Sequence, residues 1–491
     1  MQSMSRSSWR LSLLALFALC PAAQTKAAPS GSDWRPVVTG RLENGVRYAI
    51  LPRSGKEPGT GLLVRNEGGF IAERRPGERG LAHLIEHLLL VSPTTDAPDE
   101  VRHFIRIGLP LTFPAPSAGT TSWRETNYFL STRTTTAADL GTLLGLFRGA
   151  ATDLIFRADM VDEQRADVMR EMAGRKPGND VYASYIAAVA PQSPNDRIDA
   201  QNSDDVPTAS IATIRGLYQR LYRPENMMIV VVGNVDAARV RALIEQRFGD
   251  WKADPAAAAP PAPMFKADRI RPISFAAQPQ GRRTALISVV MPTPAPPASR
   301  RVQAERMLMD MLATRAVNDR LARAQPAGPA GKVGMFIDNG EQGHRQIMLW
   351  DNFAGDAWRP AIAGLRRMTC DLATTGFSDE EWRAAKQGVI RELEQRAGAM
   401  ATVPNVDLAK DLSHALAAGE ALIPPDEMLQ RAVRWLPKVG TRTGGDWWQA
   451  QWRAGREHLR VELPEFIGVG DPEGAIRATA DGADPRCKIR Q

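Results

Sequence analysis

Residues 77–90 read GERGLAHLIEHLLL, and no other stretch limits what this chain can fold into so sharply. Leu81, Leu84, Ile85, Leu88, Leu89 and Leu90 make a helix here apolar nearly all round, so it belongs inside the protein. Yet it carries His83, Glu86 and His87 within five positions, in a chain with only six histidines. Residues i and i+4 share a helix face, so the two imidazoles can converge on one point. Buried His and Glu are costly unless they hold a metal or hydrogen bonds. Two His and one carboxylate suit zinc and leave a fourth position for water. Zinc lowers the pKa of that water, and Glu86 is placed to take its proton and pass it to a leaving amine. A surface helix with incidental polar residues would not have this apolar frame.

Two histidines need a third ligand from a neighbouring element. The helix expected over 160–174 offers Asp162, Glu163, Asp167 and Glu171. Glu163 and Glu171 are eight residues apart, about 80° around a helix, so they cannot both face the metal squarely. Spacing alone leaves the choice between them open.

A chain of 491 residues exceeds one hydrophobic core and suits about two to three domains. The formal charge of +7 is spread without a long basic run or a basic stripe interleaved with aromatics, so nucleic acid is not an expected partner. At the N-terminus, Arg6 and Arg10 precede the apolar LSLLALFALC and the small, polar PAAQTKAAPSG, the layout of a secretory signal peptide over 1–28. The apolar run is shorter than the roughly twenty residues a spanning helix needs. The expected product is exported, periplasmic or extracellular, and soluble after signal removal, with no membrane span. It retains Cys370 and Cys487. In an oxidising compartment both a disulfide and two inert thiols are open.

Along the chain, GRLENGVRYAILPR reads as a hairpin turning at Asn44-Gly45. Strands follow in GTGLLVRNEGGF and over 124–133, helices over 137–156 and 160–174, and a β-run over 224–236 before another helix. This mixture indicates α+β rather than a doubly wound sheet. Beyond ADPAAAAPPAPMF the pattern recurs: a strand at 284–291, a helix at 300–324, a strand-like stretch at 344–353, then two helices. ATDLIFRADMVDEQRADVMREM (151–172) has a counterpart in TCDLATTGFSDEEWRAAKQGVIREL (369–393), offset by about 220 residues. Ser378 and Glu381 have capping-box spacing. The expected layout is a signal peptide (1–28), an N-terminal zinc-binding catalytic domain (29–252), a Pro/Ala-rich linker (253–269) and a homologous C-terminal domain without metal (270–491). Its polar tail, 469–491, is expected to be poorly ordered. His344, His414 and His458 are isolated and read as surface or satisfied core residues.

ERGLAHLIEHLLL, TTSWRETNYFLS, EQRADVMREM and YRPENMMIVVVGNVD, together spanning 40–252, resemble the pitrilysin/insulinase family of zinc peptidases, with its inverted H-x-x-E-H motif. The likeness is to exported bacterial members and to the catalytic subunit of the mitochondrial processing peptidase; from about residue 270 only the order of elements matches. The resemblance implies one zinc ion per chain with His83 and His87 as ligands and Glu86 as general base. It makes Glu171, which follows VMR, the third ligand. It also implies a pair of homologous α+β domains, each a mainly antiparallel sheet packed with helices, forming half of a clam-like chamber. Unfolded or short peptides would bind there as an added strand along TTSWRETNYFLS, near Thr121, Ser122 and Glu125. There are two departures from the family pattern: Ala118 and Gly119 replace Asn-Ala, and Gln164 replaces a Glu seven residues before the third ligand. Related enzymes close the chamber with a second half that supplies an Arg and a Tyr. All six tyrosines here (Tyr48, Tyr128, Tyr182, Tyr185, Tyr218 and Tyr222) precede the second domain. The expected partner is therefore a separate related subunit of similar size, or else a homodimer forms. The alternative function is a non-proteolytic subunit or assembly partner; members of that kind lose the motif, which this chain keeps.

Overall fold

The computed structural model describes residues 36–54, 56–96, 119–132, 136–189, 203–252, 266–277, 283–295, 297–324, 332–339 and 343–487. The expected signal peptide and most of the expected linker lie outside them.

The hairpin forms where Asn44-Gly45 placed it, with Gly45 at φ 101° and the Leu42 N–H donating to Val46 O at 2.8 Å. It joins β1 (Val38–Arg41) to β2 (Arg47–Pro52). With β3 (Thr60–Glu67), β4 (Gly119–Thr121), β5 (Glu125–Ser131) and β6 (Met227–Gly233) they make one sheet in the order β1-β2-β6-β3-β5-β4. Only β2 and β6 run parallel. The helices of this half are α1 (Leu81–Val91), α2 (Ala137–Thr152), α3 (Ala158–Val189), α4 (Ile211–Leu221) and α5 (Ala237–Phe248).

The second half contains β7 (Ile273–Ala277), β8 (Thr284–Pro292), α6 (Arg300–Ala324), β9 (Val333–Asp338), β10 (His344–Asn352), α7 (Trp358–Thr374), α8 (Asp379–Ala399), α9 (Asn405–Ala417), α10 (Pro425–Trp435), α11 (Thr441–Ala454), β11 (Arg456–Leu463) and α12 (Pro472–Ala483). Its sheet has the order β7-β11-β8-β10-β9, again with one parallel pair, β7 and β11. These five strands have the neighbours and directions of β2, β6, β3, β5 and β4. The offsets are steady: 273 − 47 = 226 for β7, 284 − 60 = 224 for β8, and 358 − 137 and 379 − 158, both 221, for α7 and α8. The architecture is α+β, with two domains built on one strand order. No helix among the described residues is long and apolar enough to cross a membrane.

Side chains alternate across a strand, and in the first sheet both faces are covered. Tyr48, Ile50, Leu62, Val64, Ile229 and Val231 face the core that contains α1. Ala49, Leu51, Leu63, Met228, Val230 and Val232 face Leu408, Ala409 and Leu412 of α9, a helix of the other half. Burial on both sides is why β6 reads MMIVVVG, an unbroken apolar run rather than an alternating one. Asn405 Nδ2 donates to Gly59 O at 3.0 Å, and Arg53 donates to Met400 O and Val403 O at 2.8 and 3.0 Å.

The loan is returned by α3, which runs past 174 to Val189. Its Tyr185, Ile186 and Val189 share a core with Leu286 and Val290 of β8. The Tyr185 hydroxyl donates to Gln346 Oε1 at 2.6 Å, and Arg460 Nη2 donates to Val181 O at 3.1 Å and Ser184 Oγ at 2.5 Å.

The tail differs from its expectation. As far as residue 487 it is ordered into α12, with Pro472 in its first turn and the Asp471 side chain accepting from Gly474 N at 2.9 Å. Ile476 and Ala480 are buried, and Cys487 is disulfide-bonded to Cys370 of α7. A capped helix with an apolar face and a covalent tie outweighs the Gly/Asp/Pro composition.

The seam between α9 and the first sheet gives a direct test. Leu412→Ala should lower stability by about 2–5 kcal/mol in denaturant unfolding. Gly61→Ala should also destabilise, because its new carbon would stand 2.3 Å from the Asn405 carbonyl carbon.

Candidate metal centre

Helix α1 begins after Gly80, whose left-handed backbone (φ 84°) turns the chain inward. Glycine is needed there twice over, since a Cβ would also lie 2.6 Å from Ser203 Cα. Gly80 offers no capping side chain, and buried Glu73 fills that role from outside. Its carboxyl oxygens accept from Gly80 N at 2.9 Å and Ala82 N at 2.7 Å. Burial pushes the Glu73 carboxyl well up, while these two N–H groups favour its ionised form.

His83 and Glu86 are buried and His87 is partly so. His83 Nε2 lies 3.6 Å and His87 Nε2 3.5 Å from Glu171 Oε2 of α3. One ligand atom from each of the three residues lies within 4.8 Å of the others, the one such His/Cys/Asp/Glu group among the described residues. Donors about 2.1 Å from a tetrahedral zinc ion stand about 3.4 Å apart, close to the two contacts that Glu171 makes. Hydrogen bonding to His83, then to His87, holds the Glu171 carboxyl far below the usual carboxylate range. Burial works to lower the His87 imidazole, but Glu171 and Glu86 outweigh it and raise it.

Of the other acids on α3, Glu163 is exposed, Asp162 pairs with Arg165 at 3.3 Å and Asp167 with Arg170 at 2.8 Å. Gln164 is buried instead, with Oε1 3.2 Å from His87 Nδ1. An amide oxygen only accepts, so Nδ1 carries a proton in this contact and Nε2 is the nitrogen turned toward Glu171.

Glu86 points the other way, to the sheet edge. Its Oε2 accepts from Thr121 Oγ1 at 2.7 Å. Burial raises its carboxyl, with His83 and then Thr121 working against the rise. Thr121 lies on β4, the last strand in the sheet order, which pairs with β5. Ser122 and Glu125 are engaged elsewhere. Ser122 Oγ accepts from Arg124 N and Glu125 N at 3.1 and 3.2 Å, tightening the turn. The Glu125 carboxylate lies 3.3 Å from Arg65 in an ion pair. The structure thus gathers His83, His87, Glu171, Glu86 and Thr121, with the Ser122 and Glu125 side chains committed to the turn and the sheet. Glu73 escaped the sequence reading because its contacts with Gly80 and Ala82 match no capping motif.

A family model described as "Peptidase M16 inactive domain" matches residues 208–389. The sequence is 29% identical over 224 residues to "Probable zinc protease PqqL" of Escherichia coli (strain K12), a match covering 45% of this chain and 24% of that protein. Among solved structures, the periplasmic protease PqqL from Escherichia coli superposes with a TM-score of 0.75 at 21% identity, covering 95% of this chain and 52% of that one. A predicted insulinase family protease from Yersinia pestis gives 0.71 at 16% identity, covering 94% and 100%. The chain therefore spans about half of the PqqL structure.

Gly119 offers a test of the contact between Glu86 and β4. A methyl group there would stand 2.5 Å from Glu86 Oε1. Gly119→Ala is expected to turn the Glu86 carboxylate away from this position in a crystal structure of the variant; an unmoved carboxylate would contradict the packing described.

Proposed function

We propose that this chain, similar to an M16 peptidase domain over residues 208–389 and to zinc proteases, is a member of the pitrilysin/insulinase family and a zinc-dependent metalloendopeptidase acting on unfolded or short peptides. The observation that carries this reading is the convergence of His83, His87 and Glu171 within 4.8 Å, with Glu86 on the same helix. A zinc ion held by those three, one per chain, would supply the Lewis acid that lowers the pKa of water. Gln164 fixes the His87 tautomer, leaving Nε2 as the donor atom. Glu86 takes a proton from water and delivers it to the leaving amine, and its raised carboxyl suits both steps. An extended peptide adds alongside β4, the last of the described strands in the sheet order, beside Thr121, so only chains that can adopt a strand reach the site.

In this reading residues 29–252 form the catalytic domain and 270–491 its metal-free counterpart, joined by 253–269. The signal-like N-terminus places the protein in the periplasm or outside the cell. A related subunit of similar size completes the substrate clamp with an Arg and a Tyr. Tyr48, Tyr128, Tyr185, Tyr218 and Tyr222 are all buried in this chain's own cores, which favours that arrangement over a homodimer. The alternative, a non-proteolytic assembly subunit, would have no use for Glu86.

Purified protein should carry about one zinc ion per chain, lost in His83→Ala and His87→Ala. Glu86→Gln should keep the metal and abolish peptide hydrolysis; full activity in that variant would remove Glu86 from the mechanism. Metal analysis should show Glu171→Gln losing zinc far more readily than Glu163→Gln, and equal losses would overturn the choice of third ligand. Peptide assays on protein of measured oligomeric state test the partner, since robust cleavage by a monomer or homodimer rules out the requirement.

A further inference from the structure

The second half holds a cavity of about 810 Å³, and none of its lining residues belongs to the candidate metal centre. Its walls come mainly from four parts of the chain: α7, α11, the first residues of β11, and the tail at 486–487. The disulfide between Cys370 and Cys487 ties that tail in place, and both cysteines are in the lining. Pockets of roughly 300–1,000 Å³ are the usual size for small organic ligands.

The lining is rich in positive charge. Arg366, Arg453, Arg456 and Arg486 contribute to it, and among the described lining residues Glu457 is the one acid. Arg486 is held by Asp371 and Asp484 at 2.7 and 2.6 Å. Arg366 is only 3% exposed. Its Nε donates to Cys487 O at 2.9 Å and its Nη1 to Glu457, while Nη2 has no hydrogen bond among the described residues. Arg453 meets only the neutral Gln449, with Nε donating to its carbonyl at 3.2 Å and Nη2 to Oε1 at 3.4 Å. Trp452 adds a flat apolar surface, since it lines the cavity and is stacked on buried Trp448 at 4.3 Å and 20°. The shared scaffold does not call for the buried guanidinium. The 221-residue offset that relates α7 to α2 sets Arg366 against Gly145, which has no side chain.

We propose that this cavity binds a small organic anion with a flat apolar body, its carboxylate or phosphate drawn to Arg366 and Arg453 and its body packed against Trp452. A buried guanidinium nitrogen without an acceptor is costly, and an anion satisfies it better than water because the hydrogen bond is charge-assisted. Glu457 and Cys487 O fix the direction of the Arg366 fork beforehand, so little order has to be imposed when the ligand enters. An inorganic ion alone would leave most of the volume to water, whereas a planar ring fills it and stacks on the indole.

The test titrates the purified protein, with its disulfide intact, by calorimetry. Benzoate joins a carboxylate to a flat ring; benzamide has the same body without the charge, and inorganic phosphate has the charge without the body. Benzoate should bind once per chain with a Kd of about 1 mM or below, and more weakly as salt is raised. Benzamide and phosphate should each bind at least about tenfold more weakly. Arg453 is exposed, so Arg453→Gln should keep the thermal midpoint while weakening benzoate about tenfold, the effect of losing a hydrogen bond to a charged group. Arg366→Gln combined with Glu457→Gln removes the buried pair together and should abolish binding; should that double variant fail to fold, Arg453→Gln still decides. A crystal structure with benzoate should show its ring beside Trp452. No saturable benzoate binding, equal affinity for benzamide or phosphate, unchanged binding in Arg453→Gln, or a ring seated elsewhere overturns the proposal. Peptide hydrolysis and metal content do not enter these measurements, so the peptidase reading stands or falls separately.

Discussion

The candidate centre depends on burying α1 almost completely. A short helix that must leave water on all sides cannot be held by its surface; it is fixed by what surrounds it. Here that is the inner face of the first sheet, α3, and the ends of α4 and β4. Such burial leaves the helix N-terminus without solvent for its free N–H groups. Glu73 meets that need, and neighbouring Glu78 accepts from Arg74 N and Arg75 N at 3.0 Å each and from Arg220 at 2.5 Å. His83, Glu86 and His87 are therefore carried on rigid structure rather than on a loop, the condition under which distances between functional groups hold.

The second half makes the same point by contrast. It repeats the strand order, and α6 follows β8 as α1 follows β3. Its buried acid, Asp310, accepts from Arg345 of β10 at 2.8 and 2.9 Å, so the charge is closed within the domain. In the first half, the charges on α1 and α3 converge on a point between helices. One scaffold thus accommodates either a self-neutralising pair or a set of donors facing one another.

Much of this was legible in the sequence for local reasons. Asn44-Gly45, the apolar run of β6 and the leucines of α1 each determine their own element, and Ser378 and Glu381 form the capping box their spacing suggested. The two residues expected to share a helix face do so, and one of the four candidate acids between 160 and 174 meets them. What was not legible depends on distant partners. Pro177 and Gly178 argue for ending α3 early, yet it continues because Tyr185, Ile186 and Val189 are buried beneath the other sheet. The tail composition suggested disorder until Ile476, Ala480 and the bond to Cys370 found their places. The hold of Thr121 on Glu86 joins residues 35 apart, with nothing in either segment to announce it.

The exchanged helices have a mechanical result. Parting the two sheets would strip α9 from β3 and β6, expose Leu408 and Leu412, and pull the end of α3 away from Arg460 and Gln346. Among the described residues, each half thus packs a helix into the other, so the sheets cannot part without breaking both sets of contacts. One of those two ties is the helix that carries Glu171.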